Sequence, residues 1–113
     1  MRSFVSLRPG SRFGLIYRTG RRRRSGGITV LQAPGHLGTP QVGVVAAKNV
    51  GNAVQRNRAK RRLREAAHRV DLRPKTAYVV VASPEVLAAP FGELVDWLRS
   101  AITTDSGTRN KDM

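Results

Sequence analysis

Six arginine and lysine side chains fall within the thirteen residues AVQRNRAKRRLRE, residues 53–65, with Glu65 as the only acid. Like charges at helical spacing repel each other, so a helix that carries them is destabilised unless a partner neutralises them. Arginine and lysine are the side chains that bind phosphate, the former through a fork of N–H donors and the latter as a compact charge. The stretch therefore predicts binding to a polyanion.

The positive charge of the whole chain is unevenly distributed. The formal net charge is +14, and residues 1–75 hold 18 of the 21 lysines and arginines but only two of the seven acids. Such self-repulsion destabilises a small domain unless a polyanion offsets it. Nucleic acid is the usual polyanion, through phosphate contacts and counterion release. A surface adapted only for solubility does not need so one-sided an excess of cations.

Length and composition exclude several other classes of protein. A chain of 113 residues fits one domain, and its 40% hydrophobic content is ordinary for a folded protein. It contains no cysteine, which excludes disulfides and thiol-based metal or redox sites. No apolar run reaches the ~20 residues that span a bilayer, and the N-terminus lacks the apolar stretch of a signal peptide. We therefore expect a cytoplasmic protein with no membrane partner.

The acids and histidines do not form a recognisable catalytic or metal-binding pattern. A protein nuclease gathers two or more carboxylates around Mg²⁺, and Glu93 and Asp96 are the only close acidic pair within a predicted helix. His36 and His68 lack the spaced partners that metal binding or nucleophilic catalysis requires. The sequence predicts no catalytic residue and no metal site in this chain.

Hydrophobic periodicity predicts an alternation of strands and helices. The β-branched segments predict strands at 28–32, 41–48 and 76–83, and the last of these is too apolar for a sheet edge. Helices are predicted at 53–70 and 91–103, with an ambiguous short helix at 11–18. The remaining segments are interpreted as a basic arm (residues 1–10), a basic turn (19–27), a hairpin loop (33–40), a second loop (83–90) and a flexible tail (104–113).

The basic helix has one apolar stripe that predicts how it packs. Asn52 is a suitable N-terminal cap. The stripe consists of Ala59, Leu63, Ala66, Ala67 and Val70, and three of these are alanines that allow close approach to a sheet. The order strand, helix, strand over residues 41–83 predicts a βαβ unit.

Residues 41–66, QVGVVAAKNVGNAVQRNRAKRRLREA, resemble the protein subunit of bacterial ribonuclease P. The signature of that family is a strand, a lysine-containing turn with Val-Gly, and then A-V-x-R-N-R-x-K-R-x-x-R-E, which this sequence matches at every specified position. RFGLIYRTGR is similar to the family's N-terminal helix, AYVVVASP to its last strand and PFGELVDWLRSAI to its C-terminal helix. The resemblance covers most of residues 11–103.

The resemblance implies a fold and a division of labour. The fold is an α/β (α+β) sandwich of order α-β-β-β-α-β-α, with a short strand near residues 19–26 and a left-handed βαβ crossover in place of the usual right-handed one. A separate ribonuclease P RNA cleaves the 5′ leader from precursor tRNA with Mg²⁺, which that RNA mainly holds, and the protein alone is inactive. The protein binds the RNA through the basic helix and holds the leader in a cleft between this helix and the sheet.

The family's site residues carry over to matching positions of this sequence. RNA-binding residues are expected at Lys48, Arg56, Asn57, Arg58, Lys60, Arg61 and Arg64. Phe13 and Tyr17 are expected to contact leader nucleotides, since unstacked bases stack on aromatic rings; the alternative for these two is core packing at helical spacing.

The sequence also departs from the family pattern, and two other functions stay open. Asn49 stands where the family has a second lysine, and Val30 stands near a position that often carries an aromatic residue. The other functions are a ribosomal or RNA-chaperone protein without a catalytic assembly, and a DNA-binding nucleoid protein. A helix-turn-helix is disfavoured because no short companion helix precedes the basic helix.

Overall fold

The valine-rich segment Thr76–Ala82 forms the central strand of a five-stranded mixed sheet. The computed structural model describes residues 4–7, 10–35 and 37–111, with side chains described for 4–7, 14–35 and 37–102. In chain order the elements are β1 (Val5–Ser6), α1 (Gly10–Thr19), β2 (Arg21–Ser25), β3 (Ile28–Pro34), β4 (Gln41–Ala46), a 3₁₀ turn (Lys48–Val50), α2 (Ala53–Ala67), β5 (Thr76–Ala82), α3 (Glu85–Ala88) and α4 (Phe91–Lys111).

The strand order β1-β4-β5-β3-β2 places β5 between the two strands that precede it in the chain. β5 runs parallel to β4 and antiparallel to β3. The βαβ unit β4-α2-β5 and the interior position of β5 are therefore confirmed. The prediction that residues 33–40 close a hairpin is wrong, because β3 and β4 do not pair with each other. Each instead hydrogen-bonds to β5, whose side chains are apolar on both faces.

Alternating side chains of the strands supply two separate cores, one on each face of the sheet. Val30, Tyr78 and Val80 belong to the larger core, to which α2 contributes Leu63 and α4 contributes Leu98. The intervening residues face the other way and form a smaller core with Ile16 of α1; they are Leu31, Ala77 and Val79. The sheet thus separates α1 from α2 and α4.

Local sequence determines where α2 begins. The Asn52 side chain accepts a hydrogen bond from the Gln55 backbone N–H at 2.9 Å, and the Gln55 side chain accepts one from the Asn52 N–H at 3.0 Å. This reciprocal capping box satisfies two amide groups that the helix itself leaves unpaired. All five residues of the predicted apolar stripe are buried, as expected. The helix ends at Ala67, three residues earlier than predicted.

Several segments differ from the sequence-based expectation. Within the expected N-terminal arm, residues 4–7 contain the short strand β1, because Phe4 and Leu7 bury their side chains against the sheet. The Phe4 ring also stacks on His68 with a centroid distance of 4.4 Å. The basic turn contains β2, as the family resemblance implied. The loop at 83–90 contains α3, and α4 continues to Lys111 where a tail was expected.

These findings confirm the mixed α/β fold class. The element order includes β1 and α3, which the expected order α-β-β-β-α-β-α lacks. The left-handed sense of the β4-α2-β5 crossover stays a prediction.

The β2–β3 turn is anchored on α4. Gly26 has φ +56°, and a Cβ atom at this position would lie 2.2 Å from atoms of the Trp97 ring. The next residue, Gly27, accepts a hydrogen bond through its carbonyl oxygen from the Ser83 N–H at 3.1 Å. The turn is therefore held from both sides, by α4 and by the end of β5.

We predict that Gly26→Ala lowers the free energy of unfolding by about 2–4 kcal/mol, since it combines left-handed backbone strain with overpacking. Urea denaturation measures this change. Gly92→Ala is the matched control, because a Cβ there meets no atom of the described residues within 4 Å and lies at the start of a helix. Equal stability of the two variants would contradict the close contact between Gly26 and Trp97.

Candidate nucleic-acid interface

One flank of α2 forms a groove with the edge of the sheet. Arg56 and Lys60, four residues apart and therefore on the same side of the helix, face β4 together with Asn57. Val44, Val45 and Ala46 form the opposite wall, and the cavity volume is about 380 Å³. The groove thus combines two cations and an amide with a strip of sheet edge.

The β4 edge in this groove has exposed backbone polar groups. Among the described residues, β1 pairs only with Gln41 and Val42, so β4 has no strand partner on this side from Gly43 onward. The Leu7 N–H donates to the Val42 carbonyl on this edge at 2.9 Å. Because strand backbone groups alternate in direction, the N–H and C=O groups of Val44 also point outward. An unpaired edge beside cations can hydrogen-bond to a polar, anionic ligand.

The opposite flank of α2 is also cationic, but one of its arginines serves the fold. Arg58, Arg61 and Arg62 surround a depression that Phe91 and Glu65 complete. The Arg62 guanidinium donates hydrogen bonds to the Val86 and Ala89 carbonyl oxygens, the latter at 2.8 Å. Arg62 therefore caps carbonyl groups of α3 and the segment that follows it, and holds α2 against them.

The predicted RNA-binding residues lie together at the start and on the outward sides of α2. Lys48, in the 3₁₀ turn, is exposed, and Arg56 and Lys60 are half-buried. The others are exposed: Asn57, Arg58, Arg61 and Arg64. The geometry therefore presents all seven to a partner, and their role in RNA binding stays a prediction.

The two aromatic residues expected at the leader are not part of the α2 groove. Tyr17 is 39% exposed, whereas its neighbour Ile16 is 1% exposed and fills the smaller core. Core packing therefore does not explain Tyr17. Among the side chains that the structure describes, those lining the α2–β4 groove do not include Tyr17, because α1 packs on the opposite face of the sheet. The Phe13 side chain lies outside the described residues.

Sequence reasoning missed a second cationic surface on β2. When RRRR is interpreted as a turn, the directions of its four side chains cannot be predicted. Because it forms a strand, its alternate side chains face opposite sides of the sheet. Arg24 lies opposite Thr29 in the ladder and, with Asn49 and Ser83, lines a groove of about 240 Å³ at one end of the sheet. The four consecutive arginines were the available signal, and the pairing of β2 with β3 was needed to read it.

The acids that the structure describes do not gather into a metal-binding group. Among the described residues, no three His, Cys, Asp or Glu side chains are placed to hold a metal ion. Asp96 instead pairs with Arg99 at 3.5 Å on the exposed side of α4. None of the described helices has the length and apolar character needed to cross a membrane.

These features are typical of a class of small α/β proteins that bind nucleic acid through an arginine-rich helix. A family model described as Ribonuclease P matches residues 1–104. The ribonuclease P protein component of Chloroflexus aggregans is 38% identical over 97 residues, which cover 83% of this chain and 72% of that protein. The component of Ruegeria pomeroyi is 46% identical over 89 residues, covering 72% of this chain and 71% of that one.

Solved structures agree on the fold. The RNase P protein of Staphylococcus aureus superimposes with a TM-score of 0.74 at 20% identity, covering 88% of this chain and 94% of that one. The RNase P protein of Thermotoga maritima superimposes with a TM-score of 0.72 at 23% identity, covering 82% of this chain and 90% of that one. The chain belongs to the ribonuclease P protein family, and its bacterial relatives favour a ribonuclease P subunit over the ribosomal, RNA-chaperone and nucleoid alternatives.

The two adjacent arginines Arg61 and Arg62 should respond differently to truncation. Arg62→Ala leaves two partly buried carbonyl groups without their donor, so we predict a loss of about 1–3 kcal/mol in the free energy of unfolding. Arg61→Ala removes an exposed side chain and should change this free energy by less than about 0.5 kcal/mol. Urea denaturation of both variants provides the comparison, and a larger loss for Arg61→Ala would contradict the assignment.

Proposed function

We propose that the chain is the protein subunit of a ribonuclease P holoenzyme that removes the 5′ leader of precursor tRNA. The observation that carries the proposal is α2. The sequence of α2 matches the family motif throughout, and its cationic side chains point outward. The capping box at its start and its buried apolar stripe fix the helix in place. The cationic surface is therefore held ready for RNA rather than ordered on binding.

The contribution of α2 to this activity is electrostatic positioning. Each phosphate contact by arginine or lysine releases condensed counterions, which makes RNA binding favourable and dependent on salt. The α2–β4 groove adds the outward backbone groups of Val44, which hydrogen-bond irrespective of base sequence. Lys48 extends the cationic surface beyond the N-terminus of the helix. Together these groups bind the ribonuclease P RNA.

The chemical step belongs to the RNA partner in this proposal. Mg²⁺ supplies charge stabilisation at the scissile phosphate when it is bound. The described part of the chain offers no cluster of acids to hold it, so its placement is assigned mainly to the RNA subunit. The protein raises the affinity for the substrate and neutralises the repulsion between two polyanions.

The exposed ring of Tyr17 is assigned to the leader. Single-stranded RNA presents unstacked bases, and stacking on an aromatic ring is sequence-tolerant because every base has a π-face. Phe13 is four residues earlier in the sequence, and its contact with the leader is proposed from the family resemblance alone. α1 and α2 lie on opposite faces of the sheet, so leader and ribonuclease P RNA would meet separate surfaces.

Reconstitution with RNA tests the function directly. The protein is mixed with a bacterial ribonuclease P RNA and labelled precursor tRNA at low Mg²⁺. We predict leader release that depends on protein and RNA together, and none from the protein alone. Cleavage by nuclease-free protein without RNA, or no stimulation by the protein, would contradict the proposal. Arg61→Ala, which should preserve stability, should weaken assembly and reduce the log–log salt slope by about 0.7–0.9.

A second test concerns Tyr17. Tyr17→Ala should weaken the affinity of the holoenzyme for leader-bearing precursor by roughly 5- to 150-fold, if a full stacking contribution of ~1–3 kcal/mol is lost. Affinity for mature tRNA should be nearly unchanged, and stability should change little because the ring is partly exposed. Fluorescence titration with the two substrates measures the difference. Equal losses for both substrates would exclude a leader contact.

A further inference from the structure

Glu65 is the only acid of the basic helix α2, and it lies in the depression on the flank opposite the α2–β4 groove. Its side chain is exposed, and among the described residues its carboxylate forms no ion pair within 4 Å, although Arg61 stands four residues earlier. A carboxylate repels phosphate, so it weakens any site that binds only the RNA backbone. The depression therefore suits a ligand that brings hydrogen-bond donors.

An aromatic ring forms the apolar part of the same depression. Phe91 begins α4 and is half-buried, and its ring lines the depression together with Glu65 and the three arginines already described. The Arg69 guanidinium lies over this ring at 5.4 Å from the centroid. Arg69 does not line the depression, so the ring reaches it through a surface that Arg69 leaves uncovered. Unstacked bases bind at such places, because they stack on aromatic rings and on guanidinium planes.

The shape of the depression favours a base that belongs to a larger molecule. Its volume is about 420 Å³, and it is open to solvent. A site for a free small ligand encloses most of the ligand's surface, which an open depression does not do. A base of an RNA that is already bound along α2 needs no such enclosure, since phosphate contacts supply the remaining affinity.

We propose that the depression binds an unpaired guanine of the ribonuclease P RNA, with Phe91 stacking on the base and Glu65 accepting hydrogen bonds from its N1–H and N2–H groups. The inference rests on the proposed function and adds a base-reading site to it. A carboxylate can accept two hydrogen bonds side by side. Guanine is the one RNA base with two adjacent donors on its Watson–Crick edge.

The position of the depression assigns this base to the ribonuclease P RNA and not to the leader. Tyr17, the residue proposed for the leader, lies on α1 at the other face of the sheet. The depression lies on α2, where the exposed Arg58 and Arg61 form part of its wall and can offset the charge of adjoining phosphates.

The walls of the depression are fixed before RNA binds. Arg62 donates hydrogen bonds to the Val86 and Ala89 carbonyl oxygens, which holds α2 against the segment that leads into α4. Leu94, in the first turn of α4, is fully buried in the larger core and fixes the start of this helix. Phe91 and Glu65 are therefore held on adjacent elements, and less conformational entropy is lost when a base binds.

Glu65→Gln separates this role from general electrostatics, because the two predict opposite signs. The substitution removes a negative charge from a phosphate-binding helix, so electrostatics alone predicts tighter RNA binding. A glutamine offers one carbonyl oxygen beside an amino group and cannot accept from both guanine donors. We therefore expect affinity for the ribonuclease P RNA to fall by roughly 2- to 12-fold, the value of one hydrogen bond. Titration of the full chain with labelled RNA measures it.

Two further variants make the test specific to the depression. Glu93→Gln is the matched control, because it makes the same charge change at an exposed position near Phe91 that does not line the depression. It should leave RNA affinity unchanged or slightly higher. Phe91→Leu keeps an apolar side chain but loses the aromatic face, and should weaken RNA binding by roughly 5-fold or more. Thermal melting identifies any effect on folding, and the exposed Glu65 position tests the site independently of it.

Inosine in the RNA identifies the base that Glu65 contacts. Inosine lacks the N2 amino group of guanosine and so removes one of the two donors. Ribonuclease P RNA with inosine at random guanosine positions is separated by binding to the wild-type protein and to Glu65→Gln. We expect an unpaired position at which inosine weakens binding to the wild-type protein but not to the variant.

Three results would overturn the proposal. These are unchanged or tighter RNA binding by Glu65→Gln, an equal loss for Glu93→Gln, and the same inosine pattern with both proteins. A loss confined to precursor tRNA in the saturated holoenzyme would place the base in the substrate, and would also overturn the assignment. Wild-type protein that binds the RNA and stimulates cleavage in the same experiments supports the proposed function, so failure of this site and failure of the function are distinguishable.

Discussion

The narrow apolar stripe of α2 is the contact on which the arrangement of this protein depends. Repulsion between cations three or four residues apart costs about 0.2–0.5 kcal/mol per pair. Burial of Leu63 alone contributes about 1.5–3 kcal/mol, and the buried alanines around it allow the helix to lie close to the sheet. Packing therefore outweighs several repulsive pairs, and the capping box at Asn52 fixes the first turn. A helix that would be unfavourable in isolation becomes a rigid cationic surface.

The central strand β5 allows helices to pack on both faces of the sheet. Because both of its faces are apolar, helices pack on each side, and α1 is separated from α2 by the full thickness of the sheet. The cationic features then lie at the margins of this layer, at the open edge of β4, along α2 and at the end of the sheet beside Arg24. An RNA partner that engages several of these features has to wrap around the sheet.

Some arginines of this chain stabilise the fold and others are available to bind a partner, depending on which groups surround the guanidinium. Arg62 and Arg61 are neighbours in the sequence, yet the first hydrogen-bonds to carbonyls at α3 and the second is exposed. Arg69, two residues beyond the end of α2, lies over the Phe91 ring at 5.4 Å and so joins the segment after α2 to the start of α4. A count of positive charge over this part of the sequence would treat these three arginines alike.

The sequence by itself determined the helix α2, the central strand β5 and the family. The Asn52 cap, the apolar stripe of α2 and the β-branched run of β5 depend on residue type and short spacing, and so they can be read from the sequence. Only the tertiary structure decided that β5 lies between β3 and β4, that Phe4 and Leu7 pack the N-terminal segment against the sheet, and that Arg24 and Asn49 line the same groove. Hydrophobic periodicity predicts which face of a helix or strand is buried, but it does not predict which element packs or pairs with it. Strand pairing depends on contacts between residues that are distant in the sequence, and on packing against both faces of the sheet.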